Sequence, residues 1–144
     1  MISFKLRPPK TEDSSFIYSS WLKSYRNSNY AKDQCNAVFF ENHKKVINSI
    51  LDKSMMVVVC SQEDDNHVFG YTIYEYLAGD NLLIHYTYIK HTYRKMGIAK
   101  KMIQSIRKSQ NPILSSHYTS ICKIIKNHII IYDPSRMYNF VDIN

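Results

Sequence analysis

Apolar residues recur along this chain with two different periods, and the changes of period divide it into elements. Residues 2–7 make a short strand ended by Pro8-Pro9. Thr11 or Asp13 then caps a helix in which Ile17, Trp21 and Tyr25 recur every four residues. Residues 27–37, with Asn27, Ser28, Asn29, Asp33 and Asn36, are polar and turn-rich, and Val46, Ile47, Ile50 and Leu51 return to helical spacing. Met55 to Cys60 is an unbroken apolar run suited to a buried strand, and Ser61–Asn66 is a hydrophilic loop. His67 to Leu77 and Leu82 to Ile89 are rich in β-branched and aromatic residues and flank the turn Ala78-Gly-Asp-Asn81, which predicts a long antiparallel hairpin.

From Ile98 the helical period returns. Ile98, Met102 and Ile106 form one stripe with Ala99 and Ile103 beside it, while Lys100, Lys101, Arg107 and Lys108 are polar, and Asn111-Pro112 ends the helix. Residues 113–116 predict a strand, Tyr118 to Asn127 a helix carrying Ile121, Ile124 and Ile125, and Ile129 to Tyr132 another strand. Asp133-Pro-Ser-Arg136 turns the chain into a last strand over 137–143. The order is β-α-α-β-β-β-α-β-α-β-β without repeat or linker. It predicts one mixed domain over residues 1–144, of α/β (α+β) class.

Composition narrows the functional classes. A chain of 144 residues that is 44% hydrophobic and 13% aromatic is not a disordered polymer. The longest purely apolar run, Met55–Cys60, is far short of the roughly 20 residues of a membrane span. The start Met1-Ile-Ser-Phe-Lys-Leu-Arg-Pro-Pro lacks the apolar stretch and small residues of a secretory signal, so the expectation is a cytoplasmic protein with no membrane partner. Cys35, Cys60 and Cys122 are odd in number and widely spaced, which predicts neither a disulfide framework nor a metal site; Cys60 and Cys122 read as small buried residues.

The stretch that carries chemistry runs from Ile84 to Lys101, a strand passing through a short loop into the amphipathic helix that opens at Arg94-Lys-Met-Gly97-Ile-Ala99. A helix start leaves backbone N–H groups without partners and a partial positive charge. Gly97 and Ala99 remove side chains that would hold an anion away from that backbone, and Arg94 and Lys100 add full charges. The segment reads as a phosphate cradle.

Arg94-x-x-Gly97-x-Ala99 after a β-strand resembles the acetyl-CoA signature of the GNAT superfamily of N-acetyltransferases, Gln/Arg-x-x-Gly-x-Gly/Ala. The element order is similar to that fold over nearly the whole chain, with a central, mixed, mostly antiparallel sheet flanked by helices. The chain also resembles compact acetyltransferase-like proteins encoded by bacteriophages. The resemblance implies acetyl-CoA as cofactor. Its pyrophosphate would meet backbone N–H groups of Met96, Gly97, Ile98, Ala99 and Lys100. Its pantetheine arm would pair with the backbone of Tyr88-Ile89-Lys90, and its phosphates would meet Arg94, Lys95, Lys100 and Lys101.

Acetyl transfer to an amine needs a neutral nucleophile and a route for its proton. On the fourth strand Leu83, His85, Thr87 and Ile89 share one face by period two. Leu83 aligns with the Glu base of histone-acetylating relatives, so His85, one step along, is the first candidate base and His117 the second. Where many members carry a Tyr general acid this chain has Ile125, leaving Tyr118, Tyr132 or solvent to protonate the departing thiolate.

The net charge of +7, from 19 basic and 12 acidic residues, is compatible with an anionic partner. Aromatic and basic residues interleave in Lys90–Lys95, yet no nucleic-acid-binding motif accompanies them. Three readings follow. The first is an acetyl-CoA-dependent N-acetyltransferase acting on a primary amine, small or protein-borne, with an aminoacyl-tRNA acceptor as a variant. The second is a catalytically weak or inactive GNAT-fold module that binds or inhibits. The third is a basic nucleic-acid binder. Monomer and homodimer are both open.

Overall fold

The computed structural model describes residues 3–28, 31, 33–117 and 129–138. A six-stranded sheet runs in chain order: β1 (Phe4–Arg7), β2 (Met55–Ser61), β3 (Val68–Leu77), β4 (Asn81–Ile89), β5 (Ile113–Ser115) and β6 (Ile130–Tyr132). The pairs from β1 to β4 are antiparallel, and β4–β5 and β5–β6 are parallel. Helices α1 (Ser14–Arg26) and α2 (Asn36–Lys53) cover one face, and α3 (Ile98–Ile106) covers the other. This is the α+β architecture that the alternating periods predict, with a mixed, mostly antiparallel sheet between helices.

Two apolar cores result. Beneath α1 and α2, Ile17, Trp21, Tyr25, Ile47 and Ile50 pack on Val58, Tyr71, Ile73 and Tyr86. Beneath α3, Ile98, Met102, Ile103 and Ile106 pack on Val57, Val59, Phe69 and Ile84. The stripe Ile98-Met102-Ile106 read from the sequence is therefore the buried face of α3.

Three boundaries differ from expectation, each for a physical reason. Asp13 stands at the N-cap position of α1, but its side chain makes no cap bond to the helix; its carboxylate accepts the Lys10 backbone N–H at 2.7 Å and two N–H groups of Arg7, at 2.8 and 3.0 Å, so it fastens the preceding turn to β1. The helix α3 stops at Ile106, well before Asn111-Pro112, where the Tyr76 hydroxyl donates to the Ile106 carbonyl at 2.5 Å. Pro134–Tyr138 form a tight helical turn, so strand structure does not begin at Met137. The predicted helix 118–127, with Tyr118, Cys122 and Ile125, and residues 139–143 of the predicted last strand lie outside the described residues.

Of the cysteines, Cys35 is exposed and Cys60 buried. Among the described residues no helix is long and apolar enough to cross a membrane.

Candidate active site

Two local features on opposite sides of β4 define the site. The first is the loop between β4 and α3. Gly97 is the residue before α3 and has φ +78°, a left-handed conformation that side chains disfavour. Lys95, two residues earlier, is also left-handed at φ +64°, a strained state for a non-glycine residue and one that functional loops accumulate. The first bond inside α3 runs from the Lys101 N–H to the Gly97 carbonyl, and no side chain caps the helix. The N–H groups of Ile98, Ala99 and Lys100 are thus left outside the helical ladder. A Cβ placed on Gly97 would meet nothing within 4 Å, so the turn opens outward.

Around this turn Arg94, Lys95, Met96 and Lys100 are exposed, whereas Ile98 buries its side chain in the α3 core and can offer only its backbone. Arg94 donates from Nε to the Ile89 carbonyl at 2.8 Å, and its guanidinium lies 5.8 Å from the Tyr88 ring centre. Arg94 therefore ties the loop back to the end of β4.

The second feature is a β-bulge. Ile73 pairs with Tyr86 and Tyr74 with Ile84, so His85 is the extra residue of β4. The face that period two assigns to Leu83, His85, Thr87 and Ile89 is consequently broken. Before the bulge the even residues Leu82 and Ile84 face α3; after it the even residues Tyr86 and Tyr88 face α1 and α2. Thr87, bonded to Thr72 at 3.0 Å beside Met102, and Ile89 lie on the α3 side, opposite His85.

The bulge also ends the pairing with β5. The β4–β5 ladder contains Leu83–Leu114 and Ile84–Ser115, and the Ser116 N–H to Ile84 carbonyl bond, 3.1 Å, closes it. Beyond Ile84 no further β4–β5 pair is formed among the described residues. Because the Lys90 N–H donates to the Phe69 carbonyl at 2.8 Å, the alternation of an antiparallel ladder turns the peptides of Tyr88 and Lys90 toward β3 and those of Thr87 and Ile89 away from it. Of the Tyr88-Ile89-Lys90 backbone expected to pair with a pantetheine arm, only Ile89 turns its peptide away from β3, and its carbonyl already accepts from Arg94; Thr87, outside that expectation, also turns away.

The two candidate histidines, 32 positions apart in sequence, meet on the α1/α2 side of the bulge. His85 Nε2 is 2.8 Å from Glu75 Oε2 and its Nδ1 is 2.7 Å from Ser116 Oγ. The same hydroxyl is 2.9 Å from His117 Nδ1, and His117 Nε2 is 3.0 Å from His43 Nε2 on α2. Five side chains from three elements and the segment after β5 form one line of hydrogen bonds. Trp21, Tyr25 and Tyr86 wall it in, with the Trp21 and His117 rings 5.3 Å apart. The Trp21 indole N–H is buried with no hydrogen-bond partner among the described residues.

Burial controls the charge of this line. It pushes His43 down to about 4 and His117 well below the ordinary histidine value, with the neighbouring histidines adding to the effect at His117. His85 is also lowered by burial, against the opposing pull of Glu75. All three rings are neutral at pH 7. The contact between His85 and Glu75 is accordingly a hydrogen bond from a neutral ring rather than a full ion pair.

His85 and His117 are both fully enclosed, so neither touches solvent directly. Tyr132 lies on β6 opposite Ser115 and is half-buried. Sequence reasoning missed Glu75, His43 and Ser116. A Glu in the middle of an aromatic strand and a His on the apolar stripe of a helix are the signals that could have raised the first two.

The chain matches no protein-family model and no curated protein. Among solved structures it is similar to a possible acetyltransferase from Clostridium difficile 630, with a TM-score of 0.51 and 17% identity over 92% of this chain and 78% of that one. It is also similar to an acetyltransferase of the GNAT family from Staphylococcus aureus Mu50, TM-score 0.51 and 10% identity, over 72% of this chain and 64% of that one. A glucosamine N-acetyltransferase region of a fungal multi-domain β-N-acetylglucosaminidase superposes with a TM-score of 0.50 and 11% identity, over 74% of this chain and 12% of that one. The chain has the GNAT acetyltransferase fold.

Proposed function

We propose that the protein is an acetyl-CoA-dependent N-acetyltransferase acting on a primary amine, small or protein-borne. The observation that carries this reading is the outward-opening turn at Gly97, whose uncapped amides follow the end of β4, a strand that pairs with β5 only as far as Ile84. A diphosphate fits the backbone donors of Gly97, Ile98, Ala99 and Lys100, and Arg94, Lys95 and Lys100 supply the opposite charge. The outward peptide of Thr87 and the outward N–H of Ile89 suit an amide-bearing arm laid beside β4. The bound cofactor supplies an acetyl thioester. The chain's own residues hold it and remove a proton from the acceptor amine.

For that last task the reading draws on His85 and His117 through the line they share, with Tyr132 or solvent returning a proton to the leaving thiolate. The enclosure of both histidines favours a second reading, a GNAT-fold module that binds CoA without turnover. One experiment separates them. Calorimetric titration with CoA, followed by release of free thiol from acetyl-CoA against a panel of amines, is expected to give both binding and release. Binding without release selects the second reading, and no binding removes both.

A further inference from the structure

We infer that Glu75, His85, Ser116, His117 and His43 form a reversible proton relay, which takes a proton in at His43, holds it on Glu75 and returns it by the same path. The inference deepens the acetyl-transfer reading and rests on it for the origin of the proton, but the wiring stands on the geometry alone.

One arrangement of protons satisfies all four contacts. The Glu75 carboxylate only accepts, so neutral His85 carries its proton on Nε2 and leaves Nδ1 bare. That nitrogen accepts from the Ser116 hydroxyl, whose oxygen then accepts from His117 Nδ1–H. His117 Nε2 is left bare and accepts from His43 Nε2–H. His43 ends the line with a proton-free Nδ1. The members in between, His85, Ser116 and His117, are 0% exposed, whereas His43 is 7% exposed and the Glu75 side chain 18%. A dry interior with two wetted ends is the layout of a conduit rather than of a packing cluster.

The transfer balances without a co-reactant. A proton arriving at His43 Nδ1 sends the Nε2 proton to His117 Nε2, the His117 Nδ1 proton to Ser116, the Ser116 proton to His85 Nδ1 and the His85 Nε2 proton to Glu75. Each ring gains one proton and loses one, so no buried imidazolium accumulates. The same hops in reverse return the proton, and no ring has to turn over. His43, on α2 at the rim of the histidine line, is therefore where the relay takes protons in, and the enclosed His85 and His117 are positioning residues that carry them.

Long-range 15N correlation spectra of the full chain with labelled histidine read the wiring directly. They are expected to place protons on His43 Nε2, His117 Nδ1 and His85 Nε2; the opposite tautomer at either enclosed ring overturns the inference. Ser116→Ala removes one hydroxyl from the middle of the line. It is expected to abolish the coupled exchange of the His85 and His117 ring protons with water, and to lower kcat about 10²-fold at unchanged KM. Glu75→Gln, at the half-exposed end, keeps an acceptor for His85 but cannot take up the proton, and is expected to give the same fall with tautomers intact. Wild-type turnover that survives both variants overturns the relay and leaves acetyl transfer standing. No CoA binding by the wild type overturns acetyl transfer, and the tautomers and exchange rates alone then decide the relay.

Discussion

The two sides of β4 are built by different means. On the α3 side the working groups are main-chain amides exposed by a left-handed glycine, and seven residues of contiguous sequence, Arg94 to Lys100, contain the whole device. On the α1/α2 side the working groups are side chains brought from β3, β4, α2 and the segment after β5, and no two of them except Ser116 and His117 are neighbours in sequence. The first device tolerates most side-chain changes and fails on one backbone change. The second keeps its backbone and fails on any interruption of its line.

The substitution with the largest expected effect strikes both sides at once. A Cβ on Gly70 would collide with the Tyr88 carbonyl and come within 3.0 Å of Ile89 Cα, both backbone atoms that cannot step aside. Gly70→Val is expected to abolish cooperative unfolding as followed by circular dichroism; a folded, CoA-binding variant would show that β3 and β4 have more freedom than their register allows.

Gly97→Val separates the sides. It is expected to abolish CoA binding by calorimetry at a stability cost of about 1–2 kcal/mol for the left-handed conformation, with the histidine tautomers unchanged. Retained binding would mean that the turn does not hold the diphosphate.

Acid separates them the other way. Each buried histidine has its folded value below the unfolded value near 6.5, so the unfolded chain binds more protons in between. Stability is complete above pH 6.5 and falls as the pH drops from there toward about 4 for His43, by up to about 1.4 kcal/mol per pH unit for each histidine. Urea unfolding at pH 7 and 5 measures the slope, and His43→Phe is expected to flatten it. An equally steep slope in that variant would assign the acid sensitivity elsewhere.

The smallest effect expected is that of Arg94→Ala. It loses the bond to the Ile89 carbonyl, worth about 1 kcal/mol, and weakens CoA binding about tenfold without abolishing it. A larger loss of affinity than in Gly97→Val would move the main recognition from the amides to the guanidinium.

How far the chain could be read before its fold was known follows the same division. The Ile98-Met102-Ile106 stripe, the hairpin and Gly97 are local patterns, and each has a physical rule that acts within a few residues. His85 and His117 were visible as candidates, but the line joining them was not, because a hydrogen bond between positions 43 and 117 leaves no trace in spacing. The strict alternation assigned to Leu83, His85, Thr87 and Ile89 failed at the bulge: a run of consecutive buried residues from Leu82 to Thr87 carries no period from which an extra residue could be detected.

That extra residue has an unusual status in the sheet. If His85 were deleted, Ile84 and Tyr86 would become successive rungs on opposite faces, and every other side chain of β4 would keep the side it has now. The strand would be a plain ladder, free to extend its pairing with β5 past Ile84. The hinge of the relay and the end of the β4–β5 pairing thus coincide at a single amino acid that the sheet itself does not require.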